Sequence, residues 1–200
     1  KTLKNMKSLR KPETLAGWLV FLIAFVVYAM TAERTGSLWD CGEFIATAYN
    51  LEIGHPPGAP LFMLVGRFFT MFGSGELAGY SINVLSALSS SFTILFLFWS
   101  ITMIVQKLAL KSGELTESKK IAVFGAGVVG ALSYTFSDSF WFSAVEGEVY
   151  AMSSLFTAIV FWAILKWDDE ISHKQAMLLE TGKSSLRWII LIMFVLGLAI

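Results

Sequence analysis

A single cysteine, Cys41, leaves the chain without an internal disulfide and without a multi-cysteine zinc cluster. Beside Asp40, such a residue is more often a small packing group than a nucleophile. Charge is equally scarce. Only 15% of residues are charged, against roughly 25% in soluble domains. The formal net charge is zero, which removes the case for nucleic-acid binding. There is no glycine-rich phosphate loop after a strand, no Walker loop, no internal repeat and no low-complexity segment.

What fills the chain is apolar. Hydrophobic residues make up 56% of its 200 positions, the mean hydropathy is +0.67, and the apolar residues come in long runs. These features predict an all-α polytopic membrane protein. About five spans are expected, at residues 15–32, 80–106, 121–142, 149–167 and 186–200, with an outer loop over 33–79. The last run, "WIILIMFVLGLAI", is too short to complete a crossing, so 1–200 reads as the N-terminal part of a membrane domain cut in its fifth span. The first span follows a basic arm but has a long apolar run and no clean small-residue cleavage site. It therefore reads as a retained anchor, not a signal peptide.

The basic residues orient the spans. With the N-terminus in the cytoplasm, thirteen of the fifteen Lys and Arg fall inside, among them Lys1, Lys4, Lys7, Arg10, Lys107, Lys174 and Lys183. Only Arg34 and Arg67 fall outside. "PLFMLVGRFFTMFG" (residues 60–73) is apolar too, but 14 residues reach only about 21 Å of the ~30 Å core. If it crossed, both later basic loops would move outside. It is expected to lie in the outer interface or to re-enter, with Arg67 snorkelling or meeting an anionic headgroup. Trp39 and Trp141 mark outer ends, and Trp18, Trp167 and Trp188 inner ends. Gly125, Gly127 and Gly130 give the third span a small-residue face. Asn83, Ser86, Ser89 and Ser90 form a polar stripe that should face protein, not lipid.

Two acidic groups then sit next to span ends on the same outer face. Asp40 and Glu43 lie in "WDCGEFIATAYNLEIGHPPGAP", and Glu146 and Glu148 in "SDSFWFSAVEGEVYAMSS". Two readings fit this spacing. In the structural one, Asp40 and Glu43 form a capping box on a helix ending at Gly54, whose Phe44, Ala48 and Leu51 line one face on the membrane. Glu146 and Glu148 then merely start the fourth span. In the functional one, acids at a bilayer edge converge on a pocket, to hold a divalent cation or to act as general base toward a hydroxyl. His55, in the rigid His-Pro-Pro-Gly turn, either donates to a phosphate or satisfies the loop backbone.

The Asp-x-Gly-Glu and His-Pro-Pro-Gly pieces, within "WDCGEFIATAYNLEIGHPPGAPLFMLVGRFF", and the stretch "FWFSAVEGEVYAMSSLF" resemble a bacterial family of polytopic membrane proteins of unknown function. That family in turn is similar to a eukaryotic transmembrane protein O-mannosyltransferase and, more distantly, to the GT-C superfamily of lipid-linked-sugar glycosyltransferases. The resemblance implies a GT-C-like domain of the bacterial inner membrane with a cytoplasmic N-terminus, periplasmic acidic loops and interfacial helices near 46–51 and 60–73. It implies transfer of a mannose-like sugar from a polyprenyl-phosphate carrier to a hydroxyl of an exported protein. Asp40 would be general base or metal ligand with Glu43 in support, and Glu146 and Glu148 the second acidic motif. His55 and Arg67 would lie near the donor phosphate. Superfamily members differ on metal, so either no cofactor is required or a divalent cation is held by Asp40, Glu146 and Glu148. The rival expectation is a non-enzymatic transporter, lipid-binding protein or envelope scaffold subunit. A transporter would carry its acids deep in discontinuous helices.

Overall fold

The computed structural model describes residues 2–37, 39–56, 58–176 and 182–199, with the side chains of 2–10, 176 and 182–184 not described. Lys1, Pro57 and Ile200, and the side chains of Lys4, Lys7, Arg10 and Lys183, lie outside the described residues. Every regular element among those described is helical: α1 (Thr2–Thr31), α2 (Cys41–Asn50), α3 (Pro60–Thr70), a 3-10 turn (Gly75–Leu77), α4 (Ala78–Lys111), α5 (Glu117–Thr135), α6 (Asp138–Val145), α7 (Val149–Ala176) and α8 (Gly182–Leu198).

Three segments are long and apolar enough to cross a bilayer alone: Lys11–Thr31, Gly75–Lys111 and Val149–Gln175. The run expected to cross unbroken from 121 to 142 is two helices, α5 and α6, bent by 67°. The break falls at "FSDS". Ser137 is extended (φ −73°, ψ 138°) and Asp138 starts α6, a polar helix start set inside an apolar run. The carbonyl freed at the end of α5 has a partner, since Tyr28 Oη donates to Thr135 O at 2.8 Å. Counted as one span, the bent pair makes four, and the apolar stretch Ser185–Leu198 is shorter. The chain is an all-α polytopic membrane protein.

α4 is the axis. It packs against α1, α2, α3, α5, α6 and α7. One core joins Val20, Ala24 and Tyr28 of α1 to Ile94 and Phe98 of α4 and Phe140 of α6. A second seats Phe44 and Ala48 of α2 and Phe62 and Met63 of α3 on Ile82 and Leu85 of α4. The polar stripe faces protein as expected, with Asn83, Ser86, Ser89 and Ser90 all buried. Of the three α5 glycines, Gly127 and Gly130 face α4; a methyl group there would lie 2.6 Å from Thr102 Cγ2 and 2.7 Å from Ile101 Cδ1. Gly125 has nothing within 4 Å, because it projects from another side of the helix.

Among the described residues, the three helices that can cross alone hold few acids. α4 has none, α1 has Glu13, and α7 has Asp168, Asp169 and Glu170 in its second half. These last join an ionic network: Lys107 meets Asp168 at 2.7 Å and Arg187 meets Glu170 at 2.7 Å. Lys107 lies 24 residues after Asn83 on α4, about 36 Å along the axis. The two polar ends of the bundle are thus about one membrane thickness apart.

Candidate functional site

The approach to α2 is strained. Trp39 has φ 62°, the left-handed region that a bulky side chain avoids, and its indole is 88% exposed. Asp40 follows with φ −82° and ψ −2° and makes no side-chain cap bond. A capping side chain normally rises from extended backbone; here the backbone is already helical. The capping-box reading is therefore corrected. Asp40 contributes its carbonyl to Phe44 N at 3.0 Å, while its carboxylate stays exposed.

Glu43 does not reach back to Asp40 either. It turns to the His-Pro-Pro-Gly loop, where its Oε1 accepts from His55 N at 2.7 Å and its Oε2 lies 3.0 Å from His55 Nδ1. These bonds, backbone first, hold the Glu43 carboxyl below its ordinary value. The Glu43 hydrogen bond and charge, with a smaller contribution from Asp40, hold His55 above its own. The loop becomes possible because α2 stops at Asn50, not Gly54. Leu51 is left-handed at φ 57°, its N–H donating to Ala48 O, and Glu52 N donates to Thr47 O at 2.8 Å. This is a Schellman close with leucine where glycine is usual.

The second acidic motif comes to the same place. Glu33 N donates to Val145 O at 3.2 Å, tying the end of α6 to the loop that leads to Asp40. Between the two glutamates, Gly147 is wedged so closely that a methyl group there would lie 2.7 Å from Ile82 Cγ2, 2.8 Å from Asn83 Oδ1 and 3.5 Å from Cys41 Sγ. Burial, then Glu146, then Asp40 push the Glu148 carboxyl above the ordinary carboxylate value. Asp40, Glu43, His55, Glu146 and Glu148 therefore form one region. Arg67 does not join it. Its guanidinium donates to Tyr49 O and lies 5.4 Å from the Tyr49 ring centroid, bracing α3 against the far end of α2.

Ligand atoms of Asp40, Glu43 and His55 all lie within 4.8 Å of one another. That is the three-ligand group the described residues offer, and it contains His55 in place of Glu146 and Glu148. Two carboxylates and an imidazole suit a first-row divalent metal.

Asn83 is the residue that sequence reasoning left out of the site. It stood in the polar stripe, but nothing in its spacing tied it to the acids. It is fully buried. Its Nδ2 donates to Glu33 O at 2.7 Å and to Thr35 O at 3.1 Å, and the Cys41 thiol lies 4.0 Å from its Oδ1. Cys41 itself is buried and free, the packing residue expected of it.

Fold and site define an integral membrane protein of helical bundles in which the Asp40/Glu43 and Glu146/Glu148 groups gather near the start of its central helix. Comparison with known sequences makes the assignment specific. The profile of the family described as "Protein O-mannosyl-transferase TMEM260 N-terminal domain" matches residues 40–200, and the chain belongs to that family. The match begins at Asp40 and includes every acid of the site together with His55 and Arg67. The chain is 27% identical over 158 residues to the protein O-mannosyl-transferase tmem260 of Dictyostelium discoideum, covering 78% of this chain and 17% of that one. It is 27% identical over 157 residues to the protein O-mannosyl-transferase TMEM260 of Mus musculus, covering 78% and 20%. The chain thus spans about a fifth or less of these relatives' length. No solved structure matches.

Proposed function

We propose that this chain is part of a GT-C-type glycosyltransferase of the bacterial inner membrane. It moves a mannose-like sugar from a polyprenyl-phosphate carrier to a hydroxyl of an exported protein on the periplasmic side. The observation that carries the reading is the docking of the Glu146-Gly147-Glu148 turn against the start of α2, which gathers two acidic groups far apart in sequence. The family assignment supports the sugar and the reaction class.

In this mechanism Asp40, exposed and free of cap duty, takes the proton of the acceptor hydroxyl. The acceptor oxygen attacks the anomeric carbon, the bond from that carbon to the phosphate oxygen breaks, and the polyprenyl phosphate leaves with the electron pair, inverting the sugar. His55, its charge favoured by Glu43, is the cation near the leaving phosphate. Glu43 holds His55 in place, while Arg67, occupied with Tyr49 at the far end of α2, is left out of the mechanism. Glu148, holding its proton to higher pH than a free carboxyl, gives the second group its acid character. A second reading has its own support in the 4.8 Å ligand group: a divalent cation held by Asp40, Glu43 and His55 would supply Lewis-acid neutralisation of the phosphate. Activity surviving chelation with EDTA excludes it.

The test uses the full-length protein returned to a strain deleted for it, at matched membrane levels. Intact-mass spectrometry of exported proteins is expected to show a hexose in wild type, its loss in the deletion, and its loss again with Asp40→Asn. Glycans unchanged in both the deletion and the variant sink the transferase in favour of transport or scaffolding. Loss in the deletion alone keeps the transferase and removes Asp40 from its chemistry.

A further inference from the structure

We propose that Asn83 is the positioning residue of this site: one buried amide that sets the relative placement of both acidic segments. Its catalytic consequence rests on the transferase reading above; its structural consequence does not.

Three chain segments meet on this side chain, and each leads directly into an acid. The first is the loop from α1 to α2. Asn83 Nδ2 donates to the carbonyls of Glu33 and Thr35, fixing the approach to Asp40. One turn earlier on the same face of α4, a methyl group on Gly79 would lie 3.3 Å from Thr35 C, so the helix supports that loop at two successive turns. The second is the first turn of α2, through Cys41, the residue after Asp40. The third is Gly147, the pivot between Glu146 and Glu148, against Asn83 Oδ1. A backbone bond reinforces the circuit, since Glu33 N donates to Val145 O, the residue before Glu146. Glu33 is thus held from both sides, by α4 through its carbonyl and by α6 through its N–H.

The chemistry of the residue fits this task. Both amide hydrogens have acceptors, and the amide oxygen faces the thiol and the Gly147 backbone. Asparagine supplies two donors and an acceptor with no charge of its own. An aspartate of the same shape would lose the donors and add a fourth carboxylate beside Asp40, Glu146 and Glu148. An aliphatic residue would leave two carbonyls without partners. Asn83 is fully buried, so it acts on substrate only through the acids it holds.

The experiment compares the full-length wild type with Asn83→Ala, Asn83→Asp and Gly147→Ala at matched membrane levels. Gly147→Ala pushes the second acidic turn off the same amide from the opposite side, so it tests the clamp independently wherever an Asn83 variant fails to accumulate. Two readouts are taken. In sugar transfer from a polyprenyl-phosphate donor, kcat is expected to fall roughly 10- to 100-fold while the donor KM moves by less than about threefold, the signature of misplaced but intact reacting groups. In amide exchange, residues 33–37 and 145–149 are expected to exchange faster together, with the α5 backbone unchanged. Variants that keep kcat within about twofold of wild type, or that loosen only one of the two segments, overturn the proposal. A wild type that transfers no sugar overturns the transferase reading instead, and the exchange result then decides the clamp alone.

Discussion

At Glu148 three effects act in one direction: burial, Glu146 and Asp40 all favour the protonated carboxyl. A group whose folded pKa is raised binds its proton more tightly in the fold than in the unfolded chain. The fold is therefore favoured at low pH and loses that advantage as pH rises from 4.5 through the folded value. Glu148→Gln removes the loss. Its expected result is a higher melting temperature than wild type at neutral pH, a gap that closes under acid, and a large loss of sugar transfer. A calorimetric scan with a parallel activity assay checks both, and a variant that is less stable at neutral pH contradicts the account. Residues also mark where the sequence was legible. Acids at span ends stand out in so apolar a chain, and all four that the sequence singled out lie in one region. The capping box was a misreading with a physical source, since Asp-x-x-Glu spacing is the same whether or not the first residue is extended. The left-handed backbone at Trp39 delivers Asp40 already helical, and no residue-type preference announces a left-handed tryptophan or the left-handed Leu51 that lets His55 fold back.

On the scale of elements, the clasp from Glu43 to His55 ties the α2–α3 loop to the first turn of α2. Its pH range follows from both partners. Glu43 is held below its ordinary 4.5, so its contribution is present above that value and lost as pH falls through the folded pKa. His55 is held above its ordinary 6.5, so its contribution is present below that value and lost as pH rises through the folded pKa. The clasp is therefore fully formed between 4.5 and 6.5. Amide exchange of residues 52–55, corrected for intrinsic rates, is expected to be slower near about pH 6 than near about pH 9. Glu43→Gln is expected to abolish that difference; if it persists in the variant, something other than the clasp closes the loop. The elements themselves were largely legible from apolar runs, with one instructive departure. "FSDSF" interrupts a hydropathic stretch by only three polar residues, too few to lower its average. Yet Ser137 and Asp138 are strong helix-start residues, and Tyr28 from a distant helix satisfies the carbonyl that the break exposes. That second condition is tertiary and leaves no local trace.

For the molecule as a whole, α4 separates two polar ends. The acids and Asn83 lie near its start; Lys107, Asp168, Glu170 and Arg187 form ion pairs near its end. The uneven distribution of Lys and Arg anticipates this separation. Buried Cys41 leaves an introduced thiol as the reactive one. Glu52→Cys and Ser112→Cys, both at exposed positions, are expected to react with a membrane-impermeant maleimide from opposite faces, Glu52→Cys from the one that the proposed topology makes periplasmic. Labelling of both from one side of intact cells rejects the arrangement. The bond from Glu33 N to Val145 O also carries a consequence in time. The ribosome adds about 5–20 residues per second, so Glu148 emerges roughly 5 to 20 s after Asp40. During that interval the first acidic group has nothing opposite it, and the repulsion that Glu146 and Asp40 exert on Glu148 does not arise. The two acidic groups meet only once α6 has arrived to hold the first loop, so the order of synthesis makes the second motif the last part of this region to form.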